Sequence, residues 1–214
     1  MYLNLKTKTL ELIPDTFDFE TKSITYAKLS NFVTTDTCEI LNKYADNNLS
    51  PSFGLGRYNQ TILTRQSLVD FINVDQLPQF TTEVVTKITE INNQYFKYDL
   101  THLARFQYTT YNEGGFLDYH NDDHFDYIKE TDKDLIGRKL SISILLSDPE
   151  EYEGGEFEIQ APKGTLNEPY DIVKLKPNKG DAILFPSFQL HKVYPITKGT
   201  RKSLVVWFFG PKWT

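Results

Sequence analysis

Two histidines, a carboxylate, an arginine and a serine are spaced so that extended strands would bring them together. His120 and Asp122 stand two positions apart in YNEGGFLDYHND, residues 111–122, and an extended chain turns such positions to one face. His191 closes DAILFPSFQLH, after a short apolar strand and a turn. Two imidazoles and one carboxylate, with open positions opposite, form the facial set that suits a non-haem Fe(II) centre. Arg201 follows His191 in the next extended segment, TRKSLVVWFF, and Ser203 shares its strand face. A planar guanidinium takes a carboxylate bidentately, so with a hydroxyl beside it the pair implies a dicarboxylate cosubstrate.

The ordered set Tyr111, Gly114, His120, Asp122, Gly154-Gly155-Glu156, PNKGD at 177–181, His191, Arg201 and Ser203 resembles the Fe(II)- and 2-oxoglutarate-dependent dioxygenases. Within them it is most similar to the prolyl 4-hydroxylase-like branch, bacterial and phage members included. The resemblance is close from about residue 95 to the C-terminus and loose before it. It implies His120, Asp122 and His191 as metal ligands and catalytic centre. It also implies Arg201 and Ser203 on the distal carboxylate of 2-oxoglutarate, and Tyr111 as a further contact to that cosubstrate, with Tyr108 as the alternate. The implied reaction uses O2 to hydroxylate an unactivated C–H bond with release of succinate and CO2, ascorbate serving as an auxiliary reductant. The implied partner is a proline-containing peptide or protein, with small molecules such as free amino acids as the lesser alternative. Related halogenases replace the carboxylate ligand with a small residue; Asp122 is retained here, so hydroxylation is the expected outcome. Ligand type alone does not fix the metal, because such donors bind Co, Ni, Cu or Zn at least as well as Fe(II).

Each residue also has a plainer role. HNDDH is charged enough for a wet turn, and Asp118 and His124 share strand parity with His120; the family spacing favours Asp122 over both. His191 could close its strand as a core histidine. Arg201 lies between Lys198 and Lys202 in a polar turn, but its parity with Ser203, Val205 and Trp207 places it on a strand that must bury one face. A non-catalytic cupin-like module binding metal or metabolite would use the same fold yet leave Arg201 and Ser203 unexplained. A structural jelly roll would need no metal at all.

The elements that must position these residues follow from period and punctuation. Residues 1–33 alternate apolar and polar positions, as edge strands would. Asp36 and Glu39 read as a capping box opening a helix through CEILNKYAD, with Leu41 and Ala45 inward and Cys38 as a small apolar core residue. Residues 48–67 carry Pro, Gly and Ser without a period and read as a loop, in which Arg57, Tyr58 and Arg65 are candidates to grip a substrate, a plain solvated loop being the favoured alternative. Phe80, Val84, Ile88, Ile91 and Tyr95 mark an amphipathic helix. From Phe96 the period becomes two, and KLSISILLS, GEFEIQ, YDIVKLK, DAILF and SLVVWFFG follow as strands between turn signals. Gly154 and Gly155 would let a strand start close under the metal strand. The fold expected is mostly β with N-terminal helices: a double-stranded β-helix, or jelly roll, of cupin-like type. Residues 1–95 would supply strands and supporting helices, and residues 96–214 the core of a single catalytic domain.

Length and composition agree. A chain of 214 residues builds one full core. A net charge of -6 and a pI near 5.3 argue against a nucleic-acid partner. One cysteine excludes an internal disulfide and suits a reducing cytoplasm. MYLNLKTKTLEL holds no apolar run long enough for a signal or a membrane span. The expectation is therefore a cytoplasmic protein with no membrane partner, of a composition that suits phage encoding.

Overall fold

The computed structural model describes residues 3–4, 19–23, 25–45, 49–55, 63–127, 135–162 and 170–212. In chain order the elements begin with β1 (Leu3–Asn4), β2 (Phe19–Ser23), β3 (Tyr26–Leu29), α1 (Thr35–Ala45), β4 (Ser50–Leu55), β5 (Leu63–Ile72) and α2 (Pro78–Ile91). Then come β6 (His102–Leu103), β7 (Phe106–Tyr111), β8 (Phe116–His120), β9 (Phe125–Tyr127), β10 (Leu135–Leu145) and β11 (Tyr152–Gly154). The chain closes with β12 (Phe157–Pro162), β13 (Tyr170–Leu175), β14 (Ala182–Pro186), β15 (His191–Val193), β16 (Ile196–Gly199) and β17 (Arg201–Pro211).

Among the described residues, fifteen of these strands form one continuous sheet whose main path runs β13-β12-β15-β8-β5-β7-β17-β10-β14-β3-β2, while β11 and β16 pair separately. The pairings are antiparallel, and the sheet curls into a jelly roll. Strict alternation sets its two faces. On β10, Leu140, Ile142 and Ile144 join the core that α1 and α2 cover, and on β17 Leu204, Val206 and Phe208 do the same. The intervening Ser143, Ser203, Val205 and Trp207 turn the other way and line a cavity inside the roll. A second apolar cluster, including Tyr111, Phe157, Ile159, Phe185 and Val193, packs the inner side around that cavity.

The helices form where the apolar stripes predict. In α2, Phe80, Val84, Ile88 and Ile91 are buried, Val85 with them, and Pro78 occupies the first turn, where its missing N–H costs nothing. Tyr95 continues the stripe into a π-helical turn over Asn92–Phe96. In α1, Cys38, Leu41 and Ala45 are buried. The cap differs from the sequence reading: Thr34, not Asp36, accepts the hydrogen bond, its Oγ1 taking the Thr37 N–H at 3.1 Å. Asp36 lies within the first turn, where its charge still suits the helix dipole.

Two further expectations are corrected. Where described, residues 48–67 are strand: β4 pairs with β5 from Ser50↔Val69 to Leu55↔Leu63. Pro and Gly hid this hairpin. Among the described residues β4 pairs only with β5, so Pro51 costs no ladder bond on the other side, and a Cβ on Gly54 would come within 2.7 Å of Thr64 Oγ1. Arg57 and Tyr58 lie outside the described residues. The period-two run from Phe96 is also shorter than read: Phe96 ends the π-helical turn, Lys97 caps it at φ 57°, and strand begins at His102.

Candidate metal centre and cosubstrate cavity

His120 is the last residue of β8 and His191 the first of β15, and the two face each other in register. Their rings meet at 4.1 Å between centroids. Asp122 lies just past the end of β8 rather than on it. Its position is set by the backbone: its N–H donates to the carbonyl of Ser187 at 2.8 Å, and Ser187 N–H in turn donates to Lys139 O. Ser187 is fully buried and its hydroxyl meets that of Ser141 at 2.9 Å, so β10 and the turn after β14 jointly hold the carboxylate.

The ligand atoms of His120, Asp122 and His191 all lie within 4.8 Å of one another. His120 Nε2 is 3.5 Å from Asp122 Oδ1, and His191 Nε2 is 3.8 Å from Oδ2. Both imidazoles engage Nδ1 with a backbone carbonyl at 2.9 Å, that of Asp118 for His120 and of Gln189 for His191. A proton on Nδ1 leaves each Nε2 lone pair free for a cation. Asp122 Oδ2 is buried without a hydrogen-bond partner. An orphaned carboxylate oxygen near one Nε2, with the other carboxylate oxygen near the second, is a donor set that fits a divalent metal.

Electrostatics keep the set ready. Burial opposes the charge on Asp122, but the neighbouring His191 and His120 outweigh it and hold the carboxyl well below the usual range. His191 is lowered to about 4, chiefly by burial, with His120 adding to the shift and Asp122 opposing it. It packs against both Phe157 and Phe185, ring centroids 5.5 and 4.6 Å away.

The cavity containing this triad measures about 480 Å³ and is also lined by Arg65, Gln107, Tyr111, Arg138, Arg201, Ser203 and Trp207. Arg201 is 2 % exposed. Its Nη1 donates to Ser203 Oγ at 3.3 Å, while its Nε is buried without a partner. Tyr111 stands opposite Arg201 in the β7–β17 register, the guanidinium 5.8 Å from its ring centroid. Burial raises the Tyr111 pKa against the pull of Arg65 and Arg201, so the phenol stays a donor. Tyr108, the alternate, points away and donates to Asn42 Oδ1 in the helix-covered core.

The other residues weighed in the sequence are placed as follows. Asp118 is exposed: β8 spends four residues, Leu117 to His120, against three on β15, His191 to Val193, and this bulge breaks the parity that made Asp118 a rival. His124 is exposed at the cavity rim and outside the triad. Gly155 lies against Arg201 rather than the metal strand: a Cβ there would come within 3.0 Å of Arg201 Cδ and 2.4 Å of Ile196 Cδ1. Arg138 received no role in the sequence reading. Its guanidinium lies 3.8 Å over the Trp207 ring and reaches the Asp122 carbonyl at 3.4 Å. Alternation from Ser141 and Ser143 would have put Lys139 in the cavity, but a register shift between Arg138 and Leu140 substitutes Arg138.

A jelly roll in which two histidines and one carboxylate converge beside a buried arginine has the donors a non-haem metal site would use. Residues 106–209 match the family model of the 2OG-Fe(II) oxygenase superfamily. The chain is 36% identical over 97 residues to a PKHD-type hydroxylase of Pseudomonas fluorescens, a match covering 45% of this chain and 39% of that protein. It thus spans about two fifths of the length of the curated relatives it matches. In fold it is similar to the viral collagen prolyl hydroxylase of Paramecium Bursaria Chlorella virus-1, with a TM-score of 0.63 at 22% identity, covering 87% of this chain and 96% of that one. It is also similar to a Trichoplax adhaerens prolyl hydroxylase in complex with a hypoxia inducible factor peptide fragment, with a TM-score of 0.57 at 18% identity, covering 86% and 83%.

Proposed function

We propose that the protein is an Fe(II)- and 2-oxoglutarate-dependent hydroxylase acting on a prolyl residue of a peptide or protein. The observation that carries this reading is one cavity holding both a convergent His120, Asp122 and His191 and a buried Arg201 whose Nε lacks a partner. When bound, Fe(II) would activate O2 as the oxidant, and 2-oxoglutarate would supply two electrons as it is converted to succinate and CO2. The chain's own part is binding and orientation. His120 and His191 would offer their Nε2 atoms and Asp122 its carboxylate, three donors that would hold the metal. Arg201 and Ser203 take the far carboxylate of the cosubstrate, and their distance from the triad selects the length of the acid. Tyr111 donates a phenol hydrogen bond from the adjoining strand. Arg138 and Trp207 form the wall beside Asp122, and Arg65 and His124 also line the cavity.

The prolyl part of the reading is supported by the solved prolyl hydroxylases that share the fold and by a peptide-bound example among them. The test is succinate formation from 2-oxoglutarate by metal-stripped protein re-supplied with Fe(II) and ascorbate, without and with proline-containing peptides. Turnover that rises with a peptide and disappears in both His120→Ala and Arg201→Ala is the expected result. Metal retention without succinate under any condition would replace the hydroxylase with a cupin-like binding module.

A further inference from the structure

β8 and β15 deliver the two histidines, yet they meet at only two register points, His191↔His120 and Val193↔Leu117, with an irregularity between them. So short a ladder fixes the imidazole spacing weakly. The reverse face of the same sheet carries a second set of contacts. Tyr119, the neighbour of His120, and Tyr194, three residues past His191, both donate their hydroxyls to one carboxylate, that of Glu158 on β12. Glu158 Oε2 takes Tyr194 at 2.7 Å, while Oε1 takes Tyr119. Glu158 is 2 % exposed, although it points away from the cavity.

The enclosure is made by rings and ammonium groups. Lys192, the neighbour of His191 and the register partner of Glu158, places Nζ 4.7 Å from the Tyr119 ring centroid and 4.0 Å from that of Tyr194. Lys174, opposite Glu158 on β13, places Nζ 4.3 Å from the Tyr194 ring. One buried carboxylate thus ties β8, β12 and the end of β15 together directly behind the paired imidazoles. A charged acceptor serving two phenols is stronger than neutral pairs would be, and nothing in the cavity chemistry uses it.

We propose that Glu158 is a positioning residue for the metal site, setting the separation of His120 and His191 from the back of the sheet through Tyr119 and Tyr194. This rests on the reading of His120, Asp122 and His191 as metal ligands. The experiment titrates Co(II), a spectroscopic probe of ligand geometry, into the metal-free full chain. It compares the wild type, Glu158→Gln, Glu158→Ala and the double variant Tyr119→Phe/Tyr194→Phe. The readouts are the Co(II) dissociation constant, the visible d–d spectrum and the melting temperature of the metal-free protein. Outer contacts made directly to a ligating side chain are worth about 10–100-fold in metal affinity, and a brace acting through neighbouring residues belongs at the low end of that range. Glu158→Ala and the double variant are expected to fall in that range with an altered spectrum, and Glu158→Gln, which keeps one acceptor oxygen, to lose less. Wild-type affinity and spectrum in Glu158→Gln and the double variant, whatever the melting temperature, overturn the proposal alone. A wild-type chain that binds no Co(II) removes the metal site itself, and the proposal with it. If Glu158→Ala fails to fold, the double variant, which keeps the carboxylate and both rings, decides.

Discussion

Arg201 and Ser203 stand two residues apart on β17, joined by a 3.3 Å hydrogen bond, and the Nε of the same guanidinium is buried without a partner. A buried cation with unused donors awaits an anion, and this one is costly to the protein alone. Arg201→Met should therefore stabilise the cosubstrate-free protein by about 1–4 kcal/mol while weakening 2-oxoglutarate binding by about 2–5 kcal/mol. Denaturant melts with and without 2-oxoglutarate check both signs at once. A variant that is less stable and still binds would contradict the role.

The position of Asp122 is held by its backbone, through Ser187 O, so its side chain can change without moving the loop. Asp122→Asn is expected to fold normally and to lose more metal affinity than the about 10–100-fold typical of outer contacts. His124→Ala, exposed and outside the triad, should bind metal like the wild type. Competition titration with a chelator measures both.

His191 gives the metal-free protein a defined pH response. Its folded pKa is about 4 against 6.5 for a free imidazole, so between these values the unfolded chain binds the extra proton and stability must rise with pH. The metal-free protein should lose about 2 kcal/mol from pH 7 to pH 5 through this residue. Asp122, whose pKa is depressed from 3.8, contributes stability that is lost only below that value. Urea melts of wild type and His191→Asn at the two pH values isolate the effect; equal slopes would refute it.

Cys38 is fully buried on the inner face of α1, and burial pushes its thiol up to about 11. Iodoacetamide should leave it unmodified at pH 8 in the native protein and alkylate it promptly in urea. Rapid native labelling, read by mass spectrometry, would mean that α1 opens from the sheet.

Much of this was legible because it depends on local spacing. The stripe Phe80, Val84, Ile88 and Ile91 specified α2, and the alternation of β10 and β17 specified which side chains meet the cavity. His120, His191, Arg201 and Ser203 stood out by residue type and parity. What was hidden rests on departures from period. The β8 bulge removed Asp118 from contention and the β10 register shift brought in Arg138 for Lys139. The hairpin of β4 and β5 was masked by Pro51 and Gly54, the first permitted where β4 pairs, among the described residues, only with β5, the second demanded by a close contact. The Glu158 brace depends on strands 36 and 39 residues apart in sequence, beyond any local pattern.

The order β8-β5-β7 has a consequence for how the chain reaches this state. β7 and β8 are consecutive, joined only by residues 112–115, yet β5 lies between them, paired through Leu68↔Thr110 on one side and Arg65↔Leu117 on the other. A hairpin of neighbours zips within about 1–10 μs, whereas the native arrangement needs a strand made some forty residues earlier to take the slot first. The local hairpin is then a trap that must reopen. Refolding should be slow for its size, and a fragment starting at residue 96 would present two unfilled edges where the first histidine strand ought to be held.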